Sequence, residues 1–311
     1  MYIVDLIKRL TSKNNIPVLI YLILNVFVSG FLLYLFPSMF GADPGNFLPY
    51  LAAGLIIYGI SIVIALSPIG EFIIRLQTGC KKIKRVEQIN FIEPLFREVY
   101  EKAKKADPSI PDDVRLFMNA DETPNAFATG RKTICVTEGL LHMPEDQIKA
   151  TLGHEFGHIA HKDTDLIMLV SVGNLIVSAF IMFLRAIIAI VQLFFSIAGL
   201  VAGGSEGAVM RALTALGNLM VTAIIGGLTK IWTKFGVWLV MKSSRANEYG
   251  ADEFSFNLGY GEQLCVMLDS ISGSGAKGLF ATLASSHPDK DDRIAKLQEL
   301  GCTYRATYGA K

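Results

Sequence analysis

The residues that first invite chemistry are His154, Glu155 and His158, in the run Thr151-Leu152-Gly153-His154-Glu155-Phe156-Gly157-His158-Ile159-Ala160. On an α-helix, positions four apart differ by about 40° of rotation, so the two imidazoles share one face. One turn apart, both can reach a Zn²⁺ ion at about 2.0–2.1 Å. Glu155 sits beside His154 around the same helix. A carboxylate there can take a proton from an activated water and pass it to a leaving amine. The chain has 5 histidines, so the motif is not a by-product of a histidine-rich sequence.

A catalytic zinc keeps three protein ligands and one open position. The longer pattern His-Glu-x-x-His-x-x-Gly-x-x-His would need glycine at 161 and histidine at 164, where this chain has His161 and Thr164. The other source is a carboxylate on a second helix, and Arg245-Ala246-Asn247-Glu248-Tyr249-Gly250-Ala251-Asp252 supplies one. Glu248 is the expected third ligand of a single zinc ion per chain. Asp252, one turn on, is placed to accept the Nδ1–H of a ligand histidine. His161 lies two turns up the axis from His154 and, like His142, reads as a surface residue.

These residues need elements to hold them, and the composition says where those elements sit. Of 311 residues, 51% are hydrophobic and only 18% are charged, with mean hydropathy +0.42. Soluble domains carry about 25% charge, so an ordinary water-soluble globule and a disordered chain are both excluded. The apolar excess calls for a lipid bilayer as partner. Net charge is +1, from 29 basic and 28 acidic residues, and nothing in that balance suggests a nucleic-acid partner. Cys80, Cys135, Cys265 and Cys302 form no Cys-x-x-Cys pair and read as isolated reduced thiols.

Ile16 to Phe36 and Phe47 to Ile69 carry no charge, and each is long enough to span about 30 Å of hydrocarbon as a helix. The connector Pro37–Asn46, with Gly41, Pro44 and Gly45, predicts a tight turn and hence a membrane hairpin. Lys8, Arg9 and Lys13 precede the first run, but its core is too long for a signal peptide, and a retained anchor is expected. A second apolar region runs from Leu166 to about Met241, interrupted by Arg185, Lys230 and Lys234. One ion cannot be shared across a bilayer, so His158 and Glu248 require an even number of crossings between them. Spans at about 166–184 and 220–241 satisfy this, with 186–212 as a far-side amphipathic or re-entrant segment. Lys230 and Lys234, four apart on one face, are expected to line a polar cavity near the active site.

Four parts follow: an N-terminal membrane hairpin (1–74), a first catalytic part (75–165), a second membrane hairpin (166–241) and a second catalytic part (242–311). Basic residues open both polar parts (Arg75, Lys81, Lys82, Lys84, Arg85; Lys242, Arg245), and the turn at 37–46 has none. The positive-inside rule then puts both termini and the catalytic parts in the cytoplasm. Within these parts the spacing predicts a helix over Val86–Lys105, with Ile89, Ile92, Phe96, Val99 and Ala103 inward. It predicts strands at Val114–Met118, Asn125–Thr129 and Thr133–Thr137, a helix over 147–162 and a short helix over Asp291–Leu300.

Several segments together carry a resemblance: Pro124-Asn125-Ala126-Phe127-Ala128-Thr129-Gly130, Val136-Thr137-Glu138-Gly139-Leu140-Leu141, the His154 helix, Arg245–Asp252, and Ser286-His287-Pro288 with Asp292-Arg293-Ile294. In this order they resemble the HtpX-type integral-membrane zinc proteases, relatives of the type I CAAX prenyl endopeptidases, over nearly the whole chain. The resemblance implies a mainly α membrane fold: four transmembrane helices and a cytoplasmic zincin domain of the gluzincin type with a small β-sheet. It implies His154, His158 and Glu248 as zinc ligands and Glu155 as catalytic base. Asn125, Ala126, Phe127 and Ala128 would form an edge strand for an extended substrate. His287 would stabilise the oxyanion across the cleft. Arg245 or Arg293 would pair with Asp252 or Glu248. Gly250 departs from the family, replacing a bulkier residue. The implied activity is peptide-bond hydrolysis in membrane or membrane-proximal proteins at the cell membrane, in protein quality control. Prenyl-CAAX processing and a non-catalytic zinc-stabilised scaffold are the alternatives.

Overall fold

The structure, a computed structural model, describes residues 2–38, 41–270 and 289–305. They are mainly helical with one small sheet. The chain divides into two compact units, one of residues 1–172 with 239–311 and one of residues 173–238.

In the first unit, a short amphipathic helix α1 (Tyr2–Leu10) precedes the apolar helices α2 (Ile16–Ser38) and α3 (Leu48–Ala65). Windows at Lys13–Pro37 and Leu48–Ala65 are long and apolar enough to cross a membrane. α2 and α3 meet at glycines: a Cβ on Gly54 would lie 2.5 Å from the Gly30 backbone nitrogen. Such small-residue contacts are how apolar helices gain packing where lipid offers no hydrophobic drive. The expected turn between them contains Gly41 and Gly45 at positive φ. α4 (Pro68–Thr78) follows at once, capped by the Ser67 hydroxyl at its start and by left-handed Gly79 at its end.

The polar part follows the predicted spacing closely. α5 (Val86–Ala106) buries Ile92, Leu95, Phe96, Val99, Tyr100 and Ala103. β1 (Arg115–Asn119), β2 (Ala126–Ala128) and β3 (Thr133–Thr137) form a sheet in the order β1-β3-β2, with β3 parallel to β1 and antiparallel to β2. The central strand, Thr-Ile-Cys-Val-Thr, is buried throughout, as its β-branched content suits. α6 (Glu145–Ala160) presents Ile148, Leu152 and Phe156 to this core, and the Phe96 and Tyr100 rings lie 5.6 and 5.5 Å from Phe156. His154 and His158 are two positions out of phase with that stripe, about 200° around the helix, and so face away from the core.

α7 (Asp163–Ala202) and α8 (Gly204–Ser255) are single helices of 40 and 52 residues. This corrects the expectation of a separate segment at 186–212. The chain turns once, at Gly203 and Gly204, both at positive φ. Nothing else interrupts the helix, and an apolar backbone far from water keeps its hydrogen bonds best by staying helical. Three helices among the described residues are long and apolar enough to cross a membrane, the third window being Ile181–Ala202. In the second unit, Gly199 and Gly207 pack backbone to backbone beside the turn, and Arg211 donates to the Gly199 carbonyl at 2.8 Å. Lys230 and Lys234 are exposed on α8.

A π-helical turn (Phe256–Tyr260), α9 (Gly261–Ser270) and α10 (Lys290–Leu300) complete the first unit. The four cysteines are buried free thiols; Cys80 and Cys135 share a small apolar cluster with Phe117, and Cys265 and Cys302 belong to the main core.

α6 packs against the last turns of α8 through two glycines. A Cβ on Gly153 would lie 2.9 Å from the Ser255 hydroxyl, and one on Gly157 would lie 2.8 Å from the Ala251 Cα. Gly157→Ala gains up to about 1 kcal/mol of helix propensity. Overpacking against backbone costs about 1–3 kcal/mol, because backbone cannot rotate away, and it dominates. The variant is expected to melt at lower temperature and to bind divalent metal more weakly, in a thermal scan with and without metal.

Candidate metal centre

The close approach of α6 and α8 brings His154, His158 and Glu248 together, with one ligand atom from each within 4.8 Å of the others. His158 Nε2 lies 3.1 Å from His154 Nε2, and the Glu248 carboxylate oxygens lie 3.4 Å from each Nε2. A tetrahedron with bonds of about 2.0–2.1 Å has edges of about 3.3–3.4 Å. Each Nε2 faces its own Glu248 oxygen, Oε2 for His154 and Oε1 for His158, so the carboxylate straddles the two imidazoles at close to that spacing.

The outer partners set the direction of the lone pairs. His154 Nδ1 lies 2.8 Å from Asp252 Oδ1, and His158 Nδ1 lies 3.2 Å from Asp163 Oδ2. In the tautomer in which each carboxylate accepts an Nδ1 proton, both Nε2 atoms keep a lone pair for a cation. That arrangement is repulsive without a cation and favourable with one. His154 and Glu248 are only 4% and 3% exposed, so bulk water does little to relieve it. The touching charges tell the same story. Four carboxylates (Glu155, Asp163, Glu248, Asp252) against two guanidiniums (Arg9, Arg293) leave −2 with neutral histidines, which a divalent cation balances.

Arg293 holds the second helix in place. Its Nε and Nη2 donate to both oxygens of Asp252 at 2.8 and 2.6 Å, and its Nη1 lies 3.4 Å from Glu248. Burial penalises the Asp252 carboxylate, yet the Arg293 charge and the bonds from Arg293 and His154 outweigh it and hold its pKa below the ordinary value. Burial also opposes the charged form of both histidines. For His154 the bonds to Asp252 and Glu248 prevail, and for His158 the Glu248 charge and the Asp163 bond do. Both pKa values therefore rise.

Glu155, 6% exposed, points toward the sheet, where its Oε2 accepts the Ala128 backbone N–H at 2.7 Å. β2 lies at the sheet edge. Its bonds to β3 run through Asn125 and Thr129, which are paired with Thr137 and Thr133, and the register sets Phe127 opposite Cys135. The alternation of an antiparallel ladder turns the amides of Ala126 and Ala128 to the other side. Ala126 and Ala128 are buried beside α6, while Asn125 is exposed. His287 and the Arg245 side chain lie outside the described residues. His142 is exposed, as expected. The His161 ring is half-buried, 3.3 Å from where a Gly250 Cβ would stand, so glycine at 250 admits it.

Two contributors were not anticipated. Asp163 reaches His158 because Lys162 takes a positive φ of 60° between α6 and α7, folding the chain back. A carboxylate five positions past the second histidine was the available signal. Arg9 of α1 donates to Asp163, with Nε at 3.0 Å, and Asn247 donates to Asn15 at 3.2 Å. Nothing local in the sequence marks a contact between residues 154 positions apart.

Fold and site together define a membrane protein with a helix-borne metal centre. A family model for peptidase family M48 matches residues 93–301. A protease HtpX homolog of Neisseria meningitidis is 30% identical over 194 residues, 57% of this chain and 63% of that protein. The match thus spans a little under two thirds of that relative. Protease HtpX of Idiomarina loihiensis is 28% identical over 242 residues, 71% of this chain and 77% of its own. The crystal structure of S. mikatae Ste24p is similar over 95% of this chain and 65% of its own, at TM-score 0.39 and 21% identity. The chain belongs to peptidase family M48.

Asp163→Ala is expected to weaken metal binding about 10–100-fold, and Arg9→Ala by a smaller factor through the same path, in competition with a chromophoric chelator. Protons compete for the same lone pairs. Raised histidine pKa values stabilise the metal-free fold below the ordinary 6.5, and that contribution fades as pH rises through the folded values. The metal-induced rise in Tm should therefore grow with pH above about 6.5, measured by thermal scans of chelated and metal-loaded protein.

Proposed function

We propose that the chain is a membrane-embedded zinc metalloendopeptidase, with His154, His158 and Glu248 as ligands and Glu155 as general base. The observation that carries this is the convergence of two Nε2 atoms and one carboxylate, one ligand atom of each within 4.8 Å of the others, with Glu155 next to His154 on the same helix. The donor set, two imidazoles and one carboxylate, suits zinc with one position open. When bound, zinc supplies Lewis-acid polarisation and a lowered pKa for water.

The chain's own residues do the rest. Glu155 takes the proton of the attacking water and delivers it to the leaving nitrogen. Its bond from the Ala128 N–H orients it and ties it to the strand that would receive substrate. Asn125, Ala126, Phe127 and Ala128 would hold an extended peptide by backbone pairing at the sheet edge. Asp252 and Asp163 keep the histidine lone pairs directed inward, and Arg293 offsets the buried carboxylates. His287 remains the proposed donor to the developing oxyanion. The substrates are peptide bonds of membrane or membrane-proximal proteins, in a quality-control role. α7 and α8 supply the third and fourth crossings, and the distribution of Lys and Arg favours a cytoplasmic catalytic face.

Glu155→Gln keeps an acceptor for the Ala128 N–H but cannot take a proton. It is expected to bind zinc like the parent chain and to lose casein cleavage by roughly 10²–10⁴-fold. Elemental analysis beside the cleavage assay checks both halves, and a fully active variant would reject the mechanism.

A further inference from the structure

Apart from the metal centre, the first unit holds a cavity of about 260 Å³ at the junction of α3 and α4, where Leu66 and Pro68 form part of its wall. Four cations line it, Arg75, Arg115, Arg131 and Lys132, against two carboxylates, Glu71 and Asp113. Both carboxylates are already engaged. Glu71 accepts from the Thr133 hydroxyl at 3.0 Å and lies 3.6 Å from Arg75. Asp113 lies 2.7 Å from Lys132 and 3.8 Å from Arg115. The cavity keeps a formal charge of +2.

Its place in the fold selects the ligand. α4 leaves Ile69, Phe72 and Leu76 exposed along one stripe, while Gly70, Glu71 and Ile74 are buried on the other side. With α3 crossing a bilayer, a short helix that follows at once and exposes an apolar stripe belongs in the interfacial plane. The cavity therefore opens at headgroup depth, where basic pockets meet anionic lipid. Its volume falls below the roughly 300–1,000 Å³ that encloses a whole drug-sized ligand, and suits a headgroup whose acyl chains stay outside.

We propose that this cavity binds the phosphate of an anionic phospholipid headgroup through Arg75, Arg115, Arg131 and Lys132. Planar guanidiniums pair two-pronged with phosphate oxygens, which favours a phosphodiester over a diffuse surface charge. The proposal depends on α3 crossing the bilayer and is independent of peptidase activity.

The test is native mass spectrometry of the full chain released from nanodiscs of phosphatidylcholine with and without phosphatidylglycerol. Arg115 and Lys132 side chains are 69% and 42% exposed, so R115A/K132A should fold. The parent chain is expected to retain phosphatidylglycerol over phosphatidylcholine, and R115A/K132A to lose that preference on the order of tenfold. K82A/K84A, with charges removed outside the cavity, should keep it. Inorganic phosphate added to detergent-solubilised protein separates the sources. Failure to displace phosphatidylglycerol supports a lipid site, and displacement that R115A/K132A abolishes supports the same anion site with a soluble occupant. Equal retention by the parent chain and R115A/K132A overturns the proposal, as does equal loss in K82A/K84A.

Discussion

Two imidazole nitrogens stand 3.1 Å apart, each 3.4 Å from one of the two oxygens of a single carboxylate, all electron-rich and almost out of water. Leaving one carboxylate buried and unpaired costs several kcal/mol, so such a cluster persists only if a cation fills it or neighbours offset it. The surroundings of α6 follow from that constraint. Arg293 neutralises the second helix, Asp252 and Asp163 fix the tautomers, and Arg9 in turn satisfies Asp163. Each group answers a charge placed by the one before it. The net −2 that remains is the share left to a divalent ion.

Packing serves the same end. α6 has one face of Ile148, Leu152 and Phe156 sunk in the core and the opposite face given to the histidines. Between them run Gly153 and Gly157, and only their lack of side chains lets α8 come close enough for Glu248 to reach both imidazoles. The core anchors the helix, the glycines set its distance from the partner, and the ligand face inherits its spacing from both. The sheet adds a third constraint, because the β2 edge supplies the N–H that holds Glu155.

The membrane elements are tied into this arrangement. α1 precedes the first span and sends Arg9 to Asp163, while Asn15, fully buried at the start of that span, meets Asn247 next to Glu248. The candidate metal centre is thus braced by the start of the first candidate membrane span. α4 carries the chain along the interface between that hairpin and the catalytic core.

Much of this was legible in the residues themselves. His154, Glu155 and His158 lie within one helical turn, so their relation depends on helix geometry alone. The amphipathic periods of α5 and α10 and the β-branched run of β3 likewise report local preferences. Gly203 and Gly204, both at positive φ, form the single turn between α7 and α8, where an amphipathic or re-entrant segment over 186–212 was expected. Glu248 was the expected third ligand because a catalytic zinc needs a third donor and the segment Arg245–Asp252 offers a carboxylate on a second helix. Its distance from the histidines, the return of Asp163 through a left-handed Lys162, and the grip of Arg9 and Arg293 were decided only by the tertiary structure. Local spacing fixes angles around one helix. Contacts between residues far apart in sequence depend on how closely helices pack and on which charges must be offset once water is excluded.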